Sequence, residues 1–272
     1  MRNPVSLLAL AAIVGVSPVL ADDQVDAIDK AVAGDHRTPE YVERDPYRHP
    51  AATLEFFEVE PGQVIVEIWP GGGWYTEVLA PIVSEDGKLY AAAFSDTAEG
   101  QPAYRARLNK ALREKLASNE EVYGNVEITH LHIPGETDIA PAGSADRVLT
   151  FRNVHNFVMA GDGPAAFAAF YRALKPGGLL GVVDHRAKPD ATMEDMQKSG
   201  YVTEALVKEL AAEAGFEFVA SSEVNANPRD TADHPRGVWT LPPTLRLGDE
   251  NREKYEAIGE SDRMTLKFRK PE

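Results

Sequence analysis

A buried strand that runs into three consecutive glycines and then into an apolar helix leaves a chain few ways to fold. Val64-Ile65-Val66-Glu67 reads as such a strand, Gly71-Gly72-Gly73 follow, and Val78, Leu79, Ile82 and Val83 then share one face of a helix. Glycines let a ligand approach the backbone, and the first helical N–H groups point at it. Strand, turn and helix together thus form a pocket for a nucleotide-like molecule. An ordinary tight turn between a strand and a helix would use the same residue types.

The chain has 272 residues, 43% of them apolar, enough for one large α/β domain or two small ones. Arg2, the apolar run Val5 to Val16 and the small residues closing Pro18-Val19-Leu20-Ala21 give residues 1–21 the pattern of a secretory signal peptide, cut after Ala21. The run is shorter than the roughly 20 residues that span a bilayer, so no transmembrane segment is expected in the mature form. Cleavage removes one base and no acid, taking the formal charge from −15 to −16. Such a chain repels phosphate backbones, which argues against nucleic acid as substrate. The absence of cysteine fits a periplasmic or secreted protein and excludes thiolate metal sites.

Strands and helices alternate along the rest. After an N-terminal helix, Asp22 to Ala33, the stretch His36–His49 is dense in charge and aromatic groups and is punctuated by Pro39, Pro46 and Pro50, so it cannot be one long helix. Lys88–Phe94 reads as the second strand, Ala103–Ser118 as a helix, Glu127–Ile133 as the third strand and Asp146–Phe151 as the fourth. His130 and His132 share a strand side with no third ligand nearby, and are read as a polar face rather than a metal site. Arg152-Asn153-Val154-His155-Asn156-Phe157 follows the fourth strand at its C-terminal end, where open parallel sheets place ligands. Histidine is the side chain suited to proton transfer near neutral pH, which makes His155 the candidate general base, with Asn153 beside it. The other reading is a loop closed by hydrogen bonds.

Asp162-Gly163-Pro164 opens a helix carrying Phe167, Phe170, Tyr171 and Leu174 on one face, Lys175-Pro-Gly-Gly178 stops it, and Leu179–Asp184 is the fifth strand. Thr203–Ala214 is a helix ended by Gly215, Phe216–Val224 the sixth strand, and Arg263–Phe268 a strictly alternating last one. About 38 residues, Asn225 to Asp262, separate these two strands, far more than a hairpin needs. The insert is either a lid at the ligand edge or a structural brace or oligomer contact. The expected divisions are a leader (1–21), an N-terminal helical cap segment (22–58) and a domain over 59–272 holding the 225–262 insert.

Two motifs carry a resemblance. Glu67-x-x-x-Gly71-x-Gly73 resembles motif I of class I S-adenosylmethionine (SAM)-dependent methyltransferases, except that Trp69 stands where the first glycine of that motif falls. Leu174-Lys-Pro-Gly-Gly-Leu-Leu-Gly-Val-Val-Asp184 is similar to the signature those enzymes carry after their motif IV. More narrowly, Glu67 to Thr76, Thr150 to Asn156 and Gly237 to Gly248 resemble a bacterial family of exported proteins described as predicted methyltransferases. The resemblance implies a Rossmann-like α/β fold, a seven-stranded, mostly parallel sheet with an antiparallel last strand. It also implies SAM as cofactor and methyl transfer to a small-molecule acceptor. Gly71, Gly72 and Gly73 would then approach the methionine portion of the cofactor, with Glu67 binding there by orienting that loop, Asn153 and His155 would flank the methyl, and Trp74, Tyr75 and Trp239 would build the apolar walls. The segment before motif I often folds over the cofactor in that family; a solvated linker is the alternative. The ribose acid expected at the end of strand two is replaced by Ala93. Asp96 either takes that contact from the loop or caps the next helix. Asp138 is the candidate for the adenine amino group. Export argues for an alternative, a non-catalytic binding protein that keeps the fold and has exchanged its ligand. A hydrolase built on His155 and Asp184 lacks the G-x-S-x-G elbow that would support it.

Overall fold

The structure is a computed structural model that describes residues 18–83 and 86–272, with side chains from residue 24 onward. The expected leader falls outside the described residues, apart from the backbone of its last few, which begin the helix Pro18–Val32.

Eight strands occur among the described residues: β1 Val64–Ile68, β2 Lys88–Ala93, β3 Val126–His130, β4 Ala145–Phe151, β5 Leu174–His185, β6 Glu217–Ser222, β7 Pro235–Val238 and β8 Arg263–Arg269. Seven of them form one sheet in the order β3-β2-β1-β4-β5-β8-β6. β1 to β5 pair in parallel, and β8 runs antiparallel between β5 and β6. The mostly parallel sheet with its reversed last strand is as expected.

Near-continuous apolar strands make such a sheet, because helices cover both faces. Alternate residues of one strand serve opposite cores. Val66 and Ile68 of β1, Val148 of β4 and Leu180 and Val182 of β5 pack with Phe157, Phe167 and Phe170 on one side. Ile65, Leu149 and Val183 pack with Leu54, Phe57, Leu79 and Val83 on the other. Gly181 is needed here, since a Cβ would lie 2.8 Å from the rings and methyls of Phe57 and Leu149.

Most boundaries shift by a few residues from the sequence reading, and two of the shifts have a plain physical cause. β5 begins at Leu174, not Leu179, because Gly177 and Gly178 exchange backbone hydrogen bonds with Lys270 beyond the end of β8. The expected third strand stops at His130, after which the chain closes a small bridge between His132 and Glu136.

The proline-rich stretch folds as three short helices, Pro39–Val42, Asp45–Arg48 and Pro50–Phe56, each with proline in its first turn. It lies on the protein: Arg37 and Arg48 are buried, and the Tyr41 hydroxyl donates to Gly72 O at 3.2 Å. The 225–262 insert contains β7 and the helix Arg252–Ile258. It is tied down at its start, where Asn225 Nδ2 donates to Thr53 Oγ1 (2.9 Å) and Thr265 Oγ1 (3.0 Å).

Candidate functional site at the C-terminal edge of the sheet

β1 ends and the chain turns sharply. Trp69, Gly71 and Gly73 all take positive φ (44°, 62° and 88°), a conformation that costs a non-glycine residue free energy. The Trp69 amide still donates to Ala92 O (2.8 Å), holding the turn against the end of β2. At Gly73 a Cβ would come within 3.0 Å of the Lys115 side chain, so the helix Ala103–Ser118 sits directly on the turn. Glu67 is buried beneath it and accepts from Thr76 Oγ1 at 2.6 Å. Burial pushes its carboxyl up to about 8, the Thr76 bond opposing, so at neutral pH it is largely uncharged.

A cavity of about 330 Å³ opens above this turn, within the size range of small-molecule sites. Glu67, Gly71 and Gly72 form its floor; Arg152, Asn153 and Asn156 enter from the end of β4; Tyr41, Arg44 and Arg48 close it from the N-terminal segment. Trp74, Tyr75 and Phe151 wall one side, with Tyr75 and Phe151 stacked at 3.5 Å between centroids. Trp69, Phe94, Tyr104 and Leu108 wall the other.

The Trp69 indole lies across the ends of β1 to β4. Its ring is 5.0 Å from that of Phe94 after β2 and 4.3 Å from that of Phe157 after β4, and Nε1 donates to Leu131 O after β3 at 3.0 Å. Arg105 covers it at 4.9 Å. A flat heterocycle with one N–H bonded to a backbone carbonyl thus fills the crevice outside the strand ends, the place where open parallel sheets hold a nucleoside.

The expected site residues scatter around this arrangement. Glu67, Gly71, Gly72 and Asn153 line the cavity, and Asn153 Nδ2 donates to Ile68 O at 2.7 Å. Trp74 and Tyr75 line it as well. Gly73 faces Lys115 and Leu112. Asp96 is engaged by Arg113, by Asn109 Nδ2 (2.9 Å) and by His130 Nε2 (3.1 Å). Slight burial raises its pKa, but these partners outweigh it and hold the carboxyl below the usual range. The Asp138 side chain is 92% exposed beside Arg172, outside the cavity. His155 is buried on the far side of Asn153. Its Nδ1 pairs with Asp184 Oδ1 at 2.9 Å, and its ring lies 5.0 Å from that of His185 and 6.3 Å from that of Trp239.

His155, Asp184 and His185 offer ligand atoms within 4.8 Å of one another. The guanidiniums of Arg152, Arg263 and Arg48 near them work against a dication, whereas a lowered His185 pKa keeps that imidazole neutral, the form a metal ligand needs. Burial first, then His155 and the guanidiniums of Arg152, Arg263 and Arg48, hold His185 well below its ordinary pKa, and its Nδ1 is 2.6 Å from Ser261 Oγ.

Sequence reasoning did not single out the arginines. Arg44 and Arg48 meet Glu260 of the insert, with Arg44 Nε 2.7 Å and Arg48 Nε 3.5 Å from its carboxylate oxygens; Arg263 of β8 joins them. Burial pushes the Glu260 carboxyl up, but Arg263, Arg48, Arg152 and Arg44 together outweigh it and hold it at about 2. Arg152 occupies a left-handed position (φ 62°) fixed by its amide bond to Val183 O. Burial, opposed by Glu260 and aided by Arg263 and Arg44, pulls its guanidinium down to about 10. The sequence signals were the clustering of arginines with aromatic residues in 37–48 and the place of Arg152 just after the fourth strand.

No family model matches the chain, and no curated relative matches it. Solved structures do. A SAM-dependent methyltransferase from Aquifex aeolicus is 20% identical, with TM-score 0.52 over 74% of this chain and 93% of that one. The [4+2]-cyclase SpnF is 16% identical, with TM-score 0.55 over 92% and 94%. Phosphoethanolamine N-methyltransferase 2 of Haemonchus contortus, in complex with SAM, is 16% identical, with TM-score 0.54 over 91% of this chain and 57% of that one. At such identities the likeness is one of architecture, and the cyclase shows that the architecture is not tied to one reaction. With its 3-2-1-4-5-8-6 sheet and its cavity at the β1 turn, the chain has the Rossmann-like fold of the class I SAM-dependent methyltransferases.

Proposed function

We propose that this chain is a small-molecule-binding protein that keeps the methyltransferase fold and has exchanged SAM for another ligand. One observation carries the reading: the Trp69 indole occupies the crevice at the strand ends, bonded to Leu131 O and packed between Phe94 and Phe157. An adenine would have to displace it. The rest of the SAM shell fits no better. Ala93 stands where a ribose acid is expected, and Asp96 is committed to Arg113, His130 and Asn109. The cavity is lined by Arg44, Arg48 and Arg152, while its one carboxylate, Glu67, is largely neutral. SAM carries a sulfonium and an ammonium against a single carboxylate, and so meets like charge. Work outside the cytoplasm, as residues 1–21 imply, fits this reading, since SAM is made inside.

A second reading, SAM-dependent methyl transfer to a small acceptor, is favoured by the glycine turn with Glu67 and Asn153 at the cavity floor. Calorimetry with SAM and S-adenosylhomocysteine separates the two. No binding up to millimolar is expected of the native protein, and micromolar binding of either would overturn the proposal. In Trp69→Gly the crevice opens, at a stability cost below the about 3–5 kcal/mol of a fully buried tryptophan, because Trp69 is only partly buried and glycine accepts its positive φ. That variant should gain measurable affinity for S-adenosylhomocysteine, which lacks the sulfonium charge.

A further inference from the structure

Arg48 is 4% exposed and lines the cavity, yet its Nη2 has no hydrogen-bond partner and its Nε reaches Glu260 only at 3.5 Å. Its guanidinium stacks 4.5 Å over the Trp74 ring, which fixes its plane and leaves its N–H groups unmatched. Arg152 also lines the cavity, and its guanidinium makes no hydrogen bond or ion pair among the described residues. Arg44 spends its Nε on Glu260, and Arg263 shares the same carboxylate. The next carboxylate, Asp184, accepts from the His155 ring and amide and from the His185 amide. Four guanidiniums therefore share one available counter-charge in an enclosed place. Burying cations without partners is costly, and an arginine held ready with free N–H groups is the usual means of gripping a carboxylate or phosphate.

We propose that the cavity binds a small organic oxyanion, its carboxylate or phosphate head held by Arg48 and Arg152 with Arg44 behind them, its flat or apolar body against Trp69, Phe94 and Tyr104. The inference rests on the reading that the cavity does not take SAM. The aromatic wall and a volume of about 330 Å³ leave room for more than an inorganic ion. The indole of Trp69 becomes part of the binding wall, a platform rather than only an obstruction.

Calorimetry with four probes tests this: phenyl phosphate and benzoate as complete ligands, inorganic phosphate as head alone, benzyl alcohol as body alone. At least one of the first two should bind about tenfold more tightly than either half, and which one does names the head group. Arg152→Gln should weaken that binding by about 10–100-fold, the loss of one charge-assisted contact. The melting temperature of unliganded Arg152→Gln should not fall, because the guanidinium has no hydrogen-bond partner among the described residues to lose and burial costs its charge more than the attraction of Glu260 returns; a merely structural arginine would lower it. Arg152→Lys keeps the charge without the fork and should fall between the two. No heat from either aromatic oxyanion at millimolar concentration, or equal affinity in Arg152→Gln, overturns the inference. The same titration with SAM separates the failures: silence from every compound sinks only this inference, whereas binding of SAM sinks the reading beneath it.

Discussion

Glu260 is the one carboxylate that the arginine cluster leans on, and its replacement has a magnitude that can be worked out. The residue is 4% exposed and joins three parts of the chain: Arg44 and Arg48 from the N-terminal segment, its own insert, and Arg263 at the start of β8. Burial raises its pKa, but the four surrounding guanidiniums bring it from an ordinary 4.5 to about 2. At 1.36 kcal/mol per unit, that fall corresponds to about 3 kcal/mol of stability. The folded pKa lies below the unfolded one, so the contribution is complete above about pH 4.5 and disappears as pH falls toward 2. Glu260→Gln keeps the shape and removes the charge. In urea unfolding at pH 7 it should be less stable by about 3 kcal/mol, a drop of roughly 6–12 °C in melting temperature for a chain of this size. The m-value should stay unchanged, since the surface exposed on unfolding is the same. Repeated at pH 6, 5, 4 and 3, the gap between the two proteins should hold constant and then narrow below 4.5. A gap under 1 kcal/mol at pH 7, or one that does not shrink in acid, would refute the charge balance assigned to this cluster.

Glu67 should behave in the opposite sense. Its folded pKa of about 8 lies above the unfolded value, so its cost appears as pH rises from about 4.5 toward 8; Glu67→Gln should match the native protein near pH 4.5 and exceed its stability by roughly 2–4 kcal/mol at pH 8 in denaturant titrations. A variant less stable at pH 8 than at pH 5 relative to the native protein would contradict this. Gly237 of β7 has φ 56°, and a Cβ there would lie 2.1 Å from Ser199 O and 2.5 Å from Ser199 Cα, backbone atoms that cannot swing aside. Gly237→Ala should therefore cost about 3 kcal/mol or more in chemical unfolding, and a loss under 1 kcal/mol would mean that β7 and the helix Met193–Ser199 are not packed as described.

Much of the architecture was legible because it is local. Apolar runs such as Val64–Ile68 declare strands buried on both faces, and Gly163-Pro164 and Thr203 announce helix starts; Thr203 Oγ1 indeed accepts from the Leu206 amide at 3.2 Å. The site was legible in outline only. The glycine turn and Asn153 were found because each directly follows a strand. The part played by Trp69 was not, since it depends on Phe94, Leu131 and Phe157, which the turn meets only through the sheet order. The arginine cluster was hidden more deeply. Arg44 and Glu260 are 216 positions apart and join because the N-terminal segment and the last strand fold to the same edge. The start of β5 was missed for a similar reason: Lys175-Pro-Gly-Gly178 looks like a helix stop, and only its partner Lys270 makes it strand.

An acidic chain with an arginine-lined cavity contains no contradiction, because the two charge distributions act over different distances. The formal charge of −15 belongs mostly to surface carboxylates, and at physiological ionic strength each is screened within about 8 Å. Within the cavity a guanidinium lies only a few ångströms from a bound anion, well inside the screening length, and the protein around it lowers the effective dielectric to roughly 20 against about 80 in water. A long polyanion approaching the molecule must lie against many surface acids at once and is repelled. A small oxyanion needs to pass only the mouth, and then meets Arg44, Arg48 and Arg152 without a comparable number of carboxylates. Size therefore becomes the selective property. Spread over the surface, the same three arginines would be three of 28 bases among 43 acids and would select nothing. Their effect comes from the folding that brings residues 44 and 48 over the end of β4.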